Sequence, residues 1–334
     1  MTIMKLIVDV MGFENELKEA IIGCETFLAK HHDVKITLVG DSQQIEKAIS
    51  QSNYKNSFVI VHADNFISQN DTVLSARRKE NTSMEIACNL LKDKKGDGFL
   101  SAGNTSVFVY LTYSIIGLMP GIDKVGLMPS IPNIENGILN MIDVGATLDV
   151  NAQDLYKYAL IANIYAKQRV TNPRIGVLNI GTESHKGHAL QHEVNELLKQ
   201  NKKINYIGFV ESNNILNNVA DVIVTDGFSG NIALKACEGS LKTFSGIIKQ
   251  EYKKPKNLFA ALLSKKIFKN IANKFDYKNH AGAFAMGLNQ ICVKTHGSAE
   301  RKQFYSALEM LYSCVKNKII EKIKNEIEEH DKQK

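Results

Sequence analysis

The segment Ala220-Asp221-Val222-Ile223-Val224-Thr225-Asp226-Gly227-Phe228-Ser229-Gly230-Asn231 passes from a short apolar run into a polar turn with two glycines. A helical pattern then opens over Ile232–Gly239. The same order occurs twice upstream. Gly98–Ser101 leads into Ser101-Ala102-Gly103-Asn104-Thr105, and Arg174–Ile180 leads into Asn179-Ile180-Gly181-Thr182-Glu183. A buried strand that hands over to a helix through such a turn is the unit of a wound α/β sheet. At that edge free backbone N–H groups and helix ends converge on ligands. None of the three turns is a GxGxxG or a GxxxxGK[ST], so they point to a phosphate-handling site of neither the dinucleotide nor the nucleoside-triphosphate kind.

Further strand-like runs lie at Lys5–Val10, Lys35–Val39, Phe58–Val61, Asn140–Val144, Ile204–Val210 and Asp221–Thr225, with helical spacing between them, as at Asp154–Lys167 and Lys186–Gln200. The runs are short and nearly continuous in apolar residues, as in a parallel sheet covered on both faces. The expectation is a wound, mostly parallel sheet with helices on both faces, in one domain over residues 1–334. Two segments depart from the alternation. Lys253–Lys274 carries seven lysines and no acid, interleaved with Leu258, Phe259, Leu262 and Leu263 and then Ile267, Phe268, Ile271 and Phe275. These two stripes predict a protruding helical hairpin over 250–278, with a bend near Ser264. Leu308, Leu311, Val315, Ile319, Ile320, Ile323 and Ile327 line one face of a long C-terminal helix expected over 298–329.

The bulk properties narrow the class. A chain of 334 residues with 44% hydrophobic content can bury a substantial core. No run reaches the roughly 18 uncharged apolar residues needed to cross a bilayer. The opening Met1–Asp9 reads as a first strand rather than a signal peptide, and a cytoplasmic location is expected. Cys24, Cys88, Cys237, Cys292 and Cys314 are scattered without CxxC spacing, which argues against a disulfide framework or zinc site. The net charge of +6 is too mild to suggest nucleic acid, but it favours an acidic partner or anionic surface.

Each turn carries two readings. In Thr225–Asn231 the glycines Gly227 and Gly230, the hydroxyl of Ser229 and the amide of Asn231 suit a tetrahedral anion; they also suit an ordinary turn with a helix cap. Asp226, at the strand's end, would orient a ligand or hold a lysine. Gly181, Glu183 and Lys186 form the second group. A lysine in the first turn of a helix sits at the unfavourable end of the macrodipole unless an anion neutralises it. His188 and His192 lie four apart on one helical face, but no further ligand cluster accompanies them, so a solvated face is expected and no metal. Ser101, Gly103, Asn104 and Thr105 form the third group, without the GxSxG elbow of a nucleophilic serine. Arg77-Arg78-Lys79 precede a helix at Ser83–Leu91 and are either solvated or an anchor for an acidic partner. All three turns are expected to meet at one rim.

In this order and spacing the residues resemble the phosphate acyltransferase (PlsX) family of bacterial phospholipid synthesis. The resemblance rests on Val8-Asp9-Val10-Met11-Gly12, Ala76-Arg77-Arg78-Lys79 with Ser83-Met84, the three turns, Asp143-Val144-Gly145-Ala146, Ile207–Glu211, and Lys294-Thr295-His296-Gly297-Ser298. The chain departs from the family pattern where Phe13 and Glu14 follow Gly12, and at Ser106, Thr147 and Ala299.

The resemblance implies a fold like that of phosphotransacylases and isocitrate dehydrogenases. It implies attack of inorganic phosphate on the long-chain acyl thioester of an acyl carrier protein, giving acyl phosphate, without a cofactor. Lys186, Asp226 and Asn231 would then be catalytic. Substrate would contact Ser101, Gly103, Asn104, Thr105, Gly181, Glu183, Gly227, Ser229, Gly230, Asp9 and Gly12. The acidic carrier would dock on Arg77, Arg78 and Lys79. Leu258, Phe259, Leu262, Leu263 and Phe268 would touch the inner face of an anionic membrane, to which the protein binds peripherally, and a homodimer is implied. Three competing readings are a short-chain acyl-coenzyme A phosphotransacylase, a metal-dependent decarboxylating dehydrogenase on a similar scaffold, and a non-catalytic acyl or membrane binding module.

Overall fold

The apolar runs fold as strands and the 3.6-residue patterns as helices in a computed structural model that describes residues 3–275 and 281–331. Three ends of the expectations lie outside the described residues: Met1-Thr2 of the opening strand, 276–278 of the hairpin and 332–334 of the domain. The first half runs β1 (Met4–Asp9), α1 (Leu17–Leu28), β2 (Val34–Gly40), α2 (Ser42–Ile49), β3 (Phe58–His62), α3 (Val73–Ala76), α4 (Ser83–Lys92), β4 (Gly98–Ser101), α5 (Thr105–Leu111), β5 (Gly126–Pro132) and β6 (Ile138–Ile142). The second runs α6 (Ala152–Ala166), β7 (Arg174–Asn179), α7 (Ala189–Gln200), β8 (Asn205–Glu211), β9 (Val222–Val224), α8 (Gly227–Tyr252), α9 (Leu258–Lys274), β10 (Ala283–Met286), β11 (Cys292–Lys294), α10 (Arg301–Lys316) and α11 (Ile319–Asp331).

Among the described residues these strands make one sheet in the order β3-β2-β1-β4-β11-β10-β5-β6-β9-β7-β8. Strands β1, β2, β3, β4 and β11 are mutually parallel. Strand β10 is antiparallel to both β11 and β5. The β5–β6 hairpin then reverses the direction, and β6, β7, β8 and β9 are parallel to one another. The sheet therefore consists of two parallel halves that point opposite ways.

Side chains alternate across it with period two. Leu6, Val8, Leu100, Phe284, Met128, Ile142 and Val224 pack under α1, α6 and α10 in one continuous core. On the opposite face the core splits in two. Ile7, Phe99, Cys292 and Leu127 pack with Met84 and Phe108 of α4 and α5, while Met141, Ile223, Leu178 and Val210 form a separate cluster.

Two helical expectations are corrected. The hairpin bends at Lys253–Asn257, where Pro255 opens a short turn, and α9 runs unbroken through Ser264. The C-terminal helix is two helices, because Lys318 takes a φ of 53° between α10 and α11.

Candidate active site

Asp9, Ser101 and Lys294 close β1, β4 and β11, and they are direct cross-strand partners in the register. All three lie on the face that carries the split core, two positions beyond Ile7, Phe99 and Cys292. They are 1%, 0% and 5% exposed. The Ser101 hydroxyl donates to Asp9 Oδ2 at 2.8 Å, and Gly103 N–H donates to Ser101 Oγ at 3.0 Å. Met11 N–H donates to Asp9 Oδ1 at 3.2 Å. Burial pushes the Asp9 carboxyl up to about 6, opposed by its hydrogen bonds and by Lys294. Burial likewise brings Lys294 down to about 7. Its ammonium donates to the Thr295 carbonyl.

The turns around this row are tied together. Gln69 Nε2 donates to the carbonyls of Gly12 and Ala102, at 2.7 and 3.1 Å. Gly12 has φ +72°, and a Cβ there would stand 2.1 Å from the Ile67 carbonyl oxygen, so only glycine fits. The bulky Phe13 does not distort that turn; its ring packs edge-on against Phe304, 5.2 Å between centroids. Asn104 caps α5 through Val107 N–H and donates to the Gln69 and Asp71 carbonyls. Its amide is thus occupied in holding the turn, while Thr105 is exposed. His296 Nδ1 lies 2.8 Å from Ser298 Oγ.

The other two turns belong to a second group. Asp143 directly follows β6, its carboxylate accepting from the N–H groups of Leu127, Gly145, Ala146 and Thr147, at 2.7–3.1 Å. Asp226 caps α8 by accepting from Ser229 N–H at 2.8 Å. A Cβ on Gly227 would stand 2.4 Å from the Thr147 carbonyl oxygen, and one on Gly230 would stand 1.9 Å from that of Asp143. Both glycines therefore let α8 sit against the 143–147 loop. Asn231 is exposed beside Gly145.

Lys186 pairs with Glu183 at 2.8 Å rather than with Asp226, and the pair occupies the space a side chain on Gly181 would need. It also precedes α7 by three residues, so it is not in that helix's first turn. His192 packs edge-on against Phe209.

Because the two halves of the sheet point opposite ways, the loop after β4 and the loops after β7 and β9 leave it at opposite edges. The expectation of one shared rim does not hold within the chain. What joins the groups is α8, about 39 Å long. It starts in the second group and carries Lys235 and Glu238 to where both act electrostatically on His296. Burial and the positive charges of Lys235 and Lys294 lower the His296 pKa, against Glu238 and Glu14. The Asp9, Ser101 and Lys294 row and the start of α8 are thus related through His296, which follows Lys294 and feels Lys235 and Glu238.

The surface residues fall elsewhere. Lys79 is engaged by Asp71 at 2.6 Å, while Arg77 and Arg78 are exposed. Arg78 and Lys79 line a shallow depression with Asp64, Phe66 and Glu80. Leu258, Phe259, Leu262 and Leu263 are exposed, whereas Phe268 turns inward against Tyr252, 4.9 Å between ring centroids. Sequence reasoning gave no role to Lys294 or His296. The available signal was a lysine ending an apolar strand, Ile291-Cys292-Val293-Lys294.

Comparison with known proteins adds the family. A model described as fatty acid synthesis protein matches residues 4–322. The chain belongs to this family. A relative named phosphate acyltransferase, from Ureaplasma parvum serovar 3, is 53% identical over 97% of this chain and 97% of its own length. Among solved structures, a phosphotransacetylase from Streptococcus pyogenes matches with a TM-score of 0.62 at 16% identity, covering 94% of each chain. An isocitrate dehydrogenase from Methylococcus capsulatus matches with a TM-score of 0.51 at 11% identity, covering 93% of this chain and 86% of that one. The fold of this family member is therefore the phosphotransacylase and dehydrogenase type expected from the sequence.

Proposed function

We propose that the protein is a phosphate acyltransferase that moves a long-chain fatty acyl group from acyl carrier protein to inorganic phosphate. A phosphate oxygen attacks the thioester carbonyl carbon, the C–S bond breaks, and the carrier thiolate leaves and takes up a proton. The observation that carries the reading is the near full-length likeness to a protein named phosphate acyltransferase. The site is compatible with it. Phosphate is already anionic at neutral pH, so the task is to bring two anionic reactants to one carbonyl and stabilise the oxyanion. Lys186, Lys235 and the N–H-rich turns supply positive potential for that.

Three further parts of the reading rest on surfaces. Arg77 and Arg78 offer exposed cations to an acidic carrier. The exposed apolar residues of α9, flanked by Lys265, Lys266 and Lys269, suit the interfacial layer of an anionic membrane and a product with an acyl tail. A second copy of the chain is the partner proposed for the remaining exposed face of α8, at Phe244 and Ile247.

Incubation with palmitoyl carrier protein and orthophosphate, without added metal, should release free carrier thiol in proportion to phosphate. Release only from short acyl-coenzyme A would favour a short-chain phosphotransacylase, and no release from either thioester would leave a binding module.

A further inference from the structure

Asp143 is fully buried, and backbone amides meet both oxygens of its carboxylate. Oδ1 accepts from Leu127, Gly145 and Ala146 at 2.9, 3.0 and 3.0 Å, and Oδ2 accepts from Ala146 and Thr147 at 3.1 and 2.7 Å. Three of the four donors are consecutive residues, so the 143–147 loop closes around this side chain as successive amides close around an anion. Burying a carboxylate is costly unless its lone pairs are filled, and these contacts fill them. The loop also seats α8. Gly227 N–H donates to the Thr147 carbonyl at 3.1 Å, and Asp143 N–H donates to the Thr225 carbonyl at 2.9 Å. A Cβ on Gly230 would stand 1.9 Å from the Asp143 carbonyl oxygen. Gly145, at φ +120°, faces Asn231: a Cβ there would lie 2.9 Å from Asn231 Nδ2 but 3.6 Å from Asn231 Cβ.

We propose that Asp143 is a positioning residue for acyl transfer: its carboxylate closes the 143–147 loop, and the loop sets where α8 begins and where Asn231 holds its amide. This role rests on the acyl-transfer reading, in which Asn231 is catalytic. Asp143 itself is buried out of reach of the reactants. It acts through Thr147, whose N–H it holds and whose carbonyl receives α8, and through Gly145, which abuts Asn231.

The test follows phosphate-dependent thiol release from palmitoyl carrier protein, beside thermal unfolding. It compares wild type with Asp143→Asn, Gly145→Ala and Asn231→Ala, and with the first two each combined with Asn231→Ala. Asparagine at 143 keeps the size but turns an NH2 group on N–H donors, so the loop must shift. A misplaced reacting group costs up to about 100-fold, so Asp143→Asn should lower kcat by about 10- to 100-fold with KM for the acyl carrier unchanged. In the Asn231→Ala background the same change should cost no more than about twofold, because residues acting through one another are not additive. Losses that multiply in full overturn the proposal and leave Asp143 a stabilising residue alone; so does wild-type kcat in Asp143→Asn. Should Asp143→Asn not fold, Gly145→Ala decides. Its methyl meets the Asn231 amide but makes only ordinary contact once Asn231→Ala has removed that amide, while the backbone strain is common to both backgrounds. A kcat loss confined to the background that keeps Asn231 supports the proposal, and an equal loss in both, or none in either, overturns it. Asn231→Ala at wild-type kcat would overturn it too, with the reaction still standing. Wild type that releases no thiol removes the acyl-transfer reading and this proposal together.

Discussion

Gly230 shows how one missing methyl positions a helix. By propensity alone alanine should be better in α8 by about 1 kcal/mol. Its Cβ, however, would stand 1.9 Å from a backbone carbonyl oxygen that cannot swing away. The clash decides the sign. Gly230→Ala should destabilise the protein by about 1–3 kcal/mol in urea unfolding, as overpacked sites do; a stabilised variant would mean that the loop at 143–147 yields freely. Lys186 calls for a different test, since its ion pair with Glu183 is half exposed and contributes little to stability. Lys186→Ala should leave the melting temperature in place and cut turnover by about 100-fold, the range for removal of one oxyanion-type donor. Unchanged turnover would take Lys186 out of the mechanism.

At the scale of elements, α9 is where periodicity misled. Leu258, Phe259, Leu262 and Leu263 occupy a different stripe from Ile267, Phe268 and Ile271, which suggested two helices. In the structure Phe268 and Ser264 turn toward Tyr252 of α8, while Phe259, Leu263, Ile267 and Ile271 form one outward row at intervals of four. Both stripes therefore lie on one helix and are mostly open, with Phe268 and Ser264 the residues turned against α8. Replacing Leu258 and Phe259 together by glutamate should therefore abolish flotation with anionic vesicles without lowering helix content by circular dichroism. Flotation that persists would remove the membrane role from this arm. Strand β5 was missed because Pro129 and Pro132 argue against a strand, and β10 and β11 because four and three residues give too short a pattern.

Across the whole molecule the pair Asp9 and Lys294 links folding to pH. A carboxyl raised by burial binds its proton more tightly when folded, so its contribution is best below its unfolded value and is lost as pH rises toward 6. An amine lowered by burial releases its proton more easily when folded, so its contribution is worst below 7 and recovers as pH climbs. Both penalties are largest between pH 6 and 7. The urea midpoint of the double variant Asp9→Asn, Lys294→Met should exceed that of wild type most in that window, and the gap should narrow at pH 4.5 and at pH 9. An equal gap at all three values would mean that the two groups titrate as they do in water.

The sequence alone determined the strand-and-turn grammar, the α/β class and the polar turns, because each follows from neighbours within a few residues: alternation, helical spacing, glycine where the chain turns sharply. It also carried the family resemblance through motifs that are local. Which way each half of the sheet points was decided only in three dimensions. That follows from three antiparallel pairings between β11 and β6: the two made by β10, whose partner β5 lies more than 150 residues away and which cancel each other, and the β5–β6 hairpin, which leaves the halves opposed. Strand sense is a property of pairing, not of composition, and so was the grouping of the turns. The row of Asp9, Ser101 and Lys294 arises the same way, since three residues spread over almost the whole chain become neighbours only when register aligns them.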